Sequence, residues 1–319
     1  MEFGAPAAPP ARSPWRRAAG APARWLGELS ESRRWPFLLL LPSLAVIMGV
    51  VLYPTLEGIV LSFREMRLTR PDLGTGFVGL RHYVDLWYDP VFWRALQNTL
   101  KWVTIAVLLE LALGMGSALA LDRDTVAMRV LTVCILLPWF LPNVVAANMW
   151  ALMLDSRLGV INELLLRVGL IDGYKAWFAD PHTALAAAVV VEAWHGYPFF
   201  TLLILAGLKA VPRDLYHAAA IDGANAFQAF RNITLPMLNT IIVAAVILRV
   251  ISLANSPEML LILTNGGPGD ATQVISLYAF KTAYTSFDFG YAAALSVVTL
   301  LLLMTFCLIY VRLSRVLEE

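Results

Sequence analysis

The chain has 319 residues, of which 59% are hydrophobic and 15% charged, with a mean hydropathy of +0.68. That apolar share is far above what a soluble domain carries, so much of the chain's solvent is lipid. A net charge of +1 and a pI near 7.8 argue against a nucleic-acid partner, which would require a basic face.

Residues 1–36 are rich in Ala, Pro and Arg and are expected to form a disordered tail. A signal peptide is the competing reading. The apolar run after Trp35 is too long for a signal core and no small-residue cleavage site follows it, so it is read as an uncleaved first span. Crossing about 30 Å of hydrocarbon takes about 20 apolar residues at 1.5 Å each. Segments near 37–62, 98–121, 130–153, 183–208, 236–263 and 289–312 meet that length. Backbone groups in lipid must pair within their own segment, so each is predicted to be a helix. The fold class expected is an all-α membrane protein, with six spans over 37–319 and a structured loop at 209–235.

Cys134 and Cys307 sit inside apolar runs and are expected to pack as small hydrophobes rather than form a disulfide. With the N-terminus inside, thirteen Lys and Arg fall on the cytoplasmic side and nine outside, with Lys101 and Arg249 within spans. The bias favours cytoplasmic termini and a cytoplasmic 209–235 loop.

Ionisable groups within spans are costly, roughly 2.5–3.5 kcal/mol for Arg at the centre on insertion scales. Lys101, Glu110, Glu192, Arg249 and Glu258 qualify, with His195 as a further titratable group. Lys101 and Glu110 are nine apart on opposite helix faces and cannot pair; Lys101 is expected to snorkel. Glu192, His195, Gly196 and Phe199 fall at i, i+3, i+4 and i+7, one face of the fourth span. Arg249, Ser252, Leu253 and Ser256 repeat that spacing in the fifth. Facing each other, the stripes would make a wet pocket, beside a fourth helix loosened by Gly196 and Pro198. Trp139, Trp150, Trp177 and Trp194 suit sugar stacking or, as the simpler reading, interfacial anchoring.

From Leu215 to Pro236 the sequence predicts a short helix begun by Pro212 and Asp214, a break at Asp222-Gly223, and a second helix capped by Asp222. Phe227, Phe230 and Ile233 would form one apolar stripe. The segment resembles the cytoplasmic coupling loop of binding-protein-dependent ABC importer permeases, through Ala218, Ala219, Asp222, Gly223, Ala224, Phe230, Ile233, Leu235 and Pro236 at fixed spacing. His217 stands where that family has Glu. Phe77-Val78-Gly79-Leu80, Asp89-Pro90, Asn98-Thr99, Thr264-Asn265-Gly266-Gly267-Pro268 and Phe287-Asp288-Phe289-Gly290-Tyr291 are similar to the carbohydrate permeases of the maltose and trehalose type.

The resemblance implies a type I importer permease in the bacterial cytoplasmic membrane that takes up a mono- to oligosaccharide. It implies a second permease chain, an ATP-binding subunit dimer and an extracytoplasmic sugar-binding protein as partners. It also places the two polar stripes on the sugar path. Arg249 and Glu192 would then either bind hydroxyls or neutralise each other in a structural pair. The chain has no Gly-x-x-x-x-Gly-Lys-Ser/Thr phosphate loop, so ATP hydrolysis is expected on another chain, and no cofactor or metal is called for.

Glycerol phosphate or another polyol derivative is the alternative substrate, because of Arg249. A proton-coupled secondary transporter is a further alternative, disfavoured by the absence of repeated hydropathy halves and by the structured loop. The four histidines lie apart, which leaves no basis for an intramembrane zinc or acid–base enzyme.

Overall fold

A computed structural model describes residues 35–70 and 76–316 of the chain, so the expected tail lies almost wholly outside the described residues. Two compact units divide the chain, Met1–Gly58 and Ile59–Glu319. Most of α1 belongs to the first: Trp35–Val46 runs through a π-helical stretch, Ile47–Leu52, into Tyr53–Leu61. Every side chain from 39 to 57 is exposed, as suits a helix bathed in lipid.

The second unit contains α2 (Arg81–Tyr88), α3 (Pro90–Leu121), α4 (Val126–Phe140), α5 (Asn143–Met153) and α6 (Val160–Arg167). There follow α7 (Ala184–Ala210), α8 (Arg213–Ile221), α9 (Ala226–Asn255, with a π turn over Phe230–Thr234), α10 (Glu258–Leu263), α11 (Ile275–Tyr284) and α12 (Phe289–Val316). Among the described residues there is no extended strand, only isolated bridges pairing Arg64 with Phe77 and Arg67 with Asp288.

Residues 39–61 of α1, and α3, α7, α9 and α12, are long and apolar enough to cross a membrane. The third expected span, 130–153, is not one straight helix. α4 and α5 meet at a bend of 95°. Pro142 forces Leu141 out of the helical region, to ψ 135°, and opens the next helix itself. The fifth, 236–263, is also broken: α9 ends at Asn255, Ser256 is extended, and Pro257 starts the separate α10. Asn143 Nδ2 donates to Glu258 Oε2 at 2.7 Å, tying the two breaks together. Glu258 therefore begins a short helix rather than sitting inside a continuous span.

α3 and α7 form the most extensive helix pair, and small residues set their approach. A Cβ added at Gly114 would strike Phe200 and the backbone of Tyr197 and Thr201; one at Gly196 would strike Glu110 and Arg249. Residue numbers rise together, so the two helices run parallel. Against α9 the register is reversed: Gly207 meets Leu238 and Ile241, and Gly196 meets Arg249. Around this three-helix centre the apolar core gathers Trp102, Phe200, Ile204, Leu238, Leu260 and Leu277, all fully buried.

Candidate functional site

Three places carry the polar chemistry that sequence reasoning singled out. The first is the loop between α7 and α9. α8 spans Arg213–Ile221 with Pro212 preceding it and Asp214 in its first turn, as expected. Gly223 has φ +79°, the left-handed conformation that ends a helix without a Cβ penalty. Its N–H donates to Ala220 O at 3.2 Å and Ala224 N–H to Ala219 O at 2.9 Å.

The cap of the next helix is not Asp222. Asp222 closes α8, while Asn225 accepts from Gln228 N–H and Gln228 Oε1 accepts from Asn225 N–H, a reciprocal capping box. Asp222 lies three residues too early, because Gly223 and Ala224 are consumed by the turn. The expected apolar stripe is also split. Phe227 is 68% exposed, whereas Phe230 and Ile233 are half-buried. His217, Ala218, Asp222, Gly223 and Pro236 are exposed, with Ala219 and Ala224 partly covered, so the loop presents a surface. Tyr216 Oη and Thr234 Oγ1, 2.9 Å apart, close it across its base.

The second place is the centre of the bundle. Arg249 is not paired with Glu192 alone. Its Nε donates to Glu110 Oε2 at 2.6 Å and its Nη2 to Glu110 Oε1 at 2.7 Å, a bidentate pair from α9 to α3. The same Nη2 donates to Glu192 Oε1 on α7 at 2.5 Å. Three helices are thus joined by one guanidinium. The Glu110 side chain is 0% exposed, Glu192 8% and Arg249 11%, so Glu110 has no recourse to water. Glu110 was recognisable as an ionisable residue in a span, but nothing in one helix's periodicity reveals a partner 139 residues away.

His195, one turn from Glu192, is buried and donates from Nε2 to the Leu141 carbonyl at 3.0 Å. That carbonyl is left open by the bend at Pro142, so His195 pins the broken span to α7. Phe199 packs on Trp139, with ring centroids 6.0 Å apart. On α9, Ser252 is exposed and Leu253 is in the apolar core, while Ser256 is half-buried just beyond the helix end, so the expected helical stripe stops at Leu253. Trp150 meets Trp194 edge-on at 5.4 Å, and Trp177 Nε1 donates to Asn162 Oδ1 at 2.8 Å.

The third place is the 264–275 loop, which is held by α3. Asn98 Nδ2 donates to the carbonyls of Asp270 and Gln273, both at 3.0 Å, and Thr99 Oγ1 accepts from Ile275 N–H at 2.9 Å. Asp89 caps α3 through Val91 N–H and takes the hydroxyls of Tyr278 (2.6 Å) and Tyr291 (2.8 Å) on its other oxygen. Burial, and then the Asp89 carboxylate, push the Tyr278 phenol above its ordinary range. Arg67 pairs with Asp288 at the start of α12. Of the sequence motifs, Asn98-Thr99 holds this loop directly, Asp89 ties the start of α3 to α11 and α12, and Asp288 ties α12 to Arg67.

Five helices long and apolar enough to cross a membrane, or six if α4 and α5 form one bent span, together with an exposed helix–turn–helix loop and charged groups buried among α3, α7 and α9, are the features of a membrane permease. The chain belongs to the family of the binding-protein-dependent transport system inner membrane component, which matches residues 111–319. It is 36% identical to the trehalose/maltose transport system permease protein MalF of Thermococcus litoralis over 279 residues, 88% of this chain and 93% of that protein. With the sulfoquinovosyl glycerol transport system permease protein SmoG of Agrobacterium fabrum it shares 34% identity, over 92% and 93% of the two chains. In fold it matches a chain of a bacterial ABC transporter involved in import of the acidic polysaccharide alginate, with TM-score 0.78 at 21% identity over 93% of this chain and all of that one.

Proposed function

We propose that this chain is the membrane-spanning permease subunit of an ATP-driven importer for a carbohydrate handed over by an external binding protein. The observation that carries this is the 212–236 loop. It holds its own shape through the Gly223 turn and the Asn225–Gln228 box, yet leaves most of its residues exposed, which suits a lever gripped by another chain. On this reading the loop faces the cytoplasm, with both termini on that side, and an ATP-binding subunit seats on His217, Ala218, Gly223 and their neighbours. A second permease chain completes the path. Closure of the ATPase pair moves the loop, and α7 and α9, joined to it at both ends, transmit the movement to the centre of the bundle.

The carbohydrate class is supported by the names of the relatives, among them a trehalose/maltose and a sulfoquinovosyl glycerol permease. Glu192, His195, Gly196, Phe199, Arg249, Ser252, Leu253 and Ser256 are assigned to the path and its supporting wall: Ser252, Ser256 and Phe199 offer accessible groups, while His195 and Leu253 brace them.

Purification of the complex through a tag on this chain, from membranes containing the binding protein, tests the reading. Mass spectrometry is expected to find an ATP-binding subunit and a second permease, with a mono- to oligosaccharide as retained ligand. Recovery of the chain without an ATPase, or with a ligand that is not a carbohydrate or polyol, would sink it.

A further inference from the structure

The central cluster contains two carboxylates and one guanidinium. With both carboxylates ionised it carries one net negative charge, and with one protonated it carries none. Arg249 is therefore overcommitted as a cation: two of its three nitrogens are spent on Glu110 and Glu192. Among the described residues, Arg249 Nη1 and Glu192 Oε2 have no hydrogen-bond partner, and neither is fully enclosed. They are the groups the cluster leaves open, one donor on Arg249 and one acceptor on the Glu192 carboxylate it holds. Glu110, whose two oxygens are both taken, forms its closed back.

Such a pair fits a hydroxyl, which gives one proton and receives another. It does not fit a carboxylate, sulfonate or phosphate, which would meet Glu192 Oε2 at close range with no surplus positive charge to offset it. The remaining ionisable groups of the spans do not alter the balance. His195 is turned to the Leu141 carbonyl, Lys101 is exposed on the opposite face of α3 about two and a half turns from Glu110, and Glu258 adds a further acid.

We infer that Glu192 is a specificity-determining residue that makes the path selective for uncharged or amino-bearing carbohydrates and against anionic ones. The inference rests on the reading that Ser252, one turn along α9 from Arg249, lines the path. It runs against glycerol phosphate as substrate, since the arginine that suggested an anion is already neutralised.

The local charge is measurable without knowing the sugar. In the assembled complex, with Cys134 and Cys307 replaced by Ser, Ser252→Cys is labelled during ATP turnover. The probes are a trimethylammonium-ethyl and a sulfonatoethyl methanethiosulfonate, each rate normalised to that of a free thiol. The cationic reagent is expected to react faster, and Glu192→Gln to lower the cation-to-anion ratio about fivefold, the effect of one charge beside a water-lined wall. Labelling with no cationic preference, or a ratio that Glu192→Gln leaves unchanged, overturns the charge inference alone. No labelling by either reagent, while Ser156→Cys at an exposed position between α5 and α6 labels fully, overturns the path assignment as well.

Discussion

Replacing Arg249 with Ala removes three charge-assisted hydrogen bonds, two to Glu110 and one to Glu192. Glu110 is 0% exposed and would be left as an uncompensated buried acid. Breaking a buried pair from one side costs about 3–5 kcal/mol, whereas replacing both partners by apolar residues is close to neutral. At about 1.4 kcal/mol per factor of ten, the loss is a hundredfold or more in the folded fraction. Arg249→Lys should fall between, because an ammonium cannot hold both Glu110 oxygens in the bidentate fork. The triple change Glu110→Met, Glu192→Gln and Arg249→Met, which leaves no buried charge behind, should recover much of what Arg249→Ala loses. The assay is the monodisperse fraction of the assembled complex after heating in lipid nanodiscs, read beside expression level. An Arg249→Ala complex as heat-resistant as the parent, but unable to transport, would refute the lock and leave Arg249 as a ligand contact only.

Gly223→Val places a β-branched residue at φ +79°, a strain of roughly 1–3 kcal/mol confined to the loop. The spans should insert normally while substrate-stimulated ATP hydrolysis falls, and normal stimulation would remove the loop from the coupling account. His217 is exposed on α8: His217→Glu should be tolerated and His217→Trp should lower the ATPase retained on purification, while full retention by the Trp variant would take the position out of the interface. Asn98→Ala strands the buried carbonyl of Gln273, at about 1–3 kcal/mol if it stays dry, and leaves the part-buried Asp270 carbonyl with Gln273 N–H alone. Hydrogen exchange across 264–275 should accelerate, and an unchanged rate would show that the loop is held by other means.

The bundle was legible because lipid demands long apolar helices, and that demand is written residue by residue. Direction is not. Pro142 and Pro257 were visible in the sequence, but hydropathy integrates over a window and passes smoothly across both, so the 95° bend and the start of α10 went unread. The turn at Gly223 was readable because only one residue type suits its backbone. The cap beyond it was misplaced because Asp222 and Asn225 are equally good acceptors, and only the length of the turn decides between them. The central cluster shows the same limit. Each helix announced its own charged residue, but that Arg249 turns first to Glu110, with Glu192 as second partner, depends on the close parallel approach of α3 and α7 that Gly114 and Gly196 permit.

Apart from Arg213, which donates to Asp122 at the end of α3, the 212–236 segment closes its hydrogen bonds on itself: helix ends, turn, capping box and the Tyr216–Thr234 contact all lie between its two junctions. It depends on neighbouring helices for little beyond the positions where it enters and leaves, and so behaves as an interchangeable cartridge. Grafted between Val211 and Met237 of a related permease, it should keep its shape and carry its choice of motor subunit with it. The 264–275 loop has no such autonomy. Besides its own turns, its backbone relies on Asn98 and Thr99, more than 170 residues earlier in the chain, so any transplant of that loop must bring the first turns of α3 along.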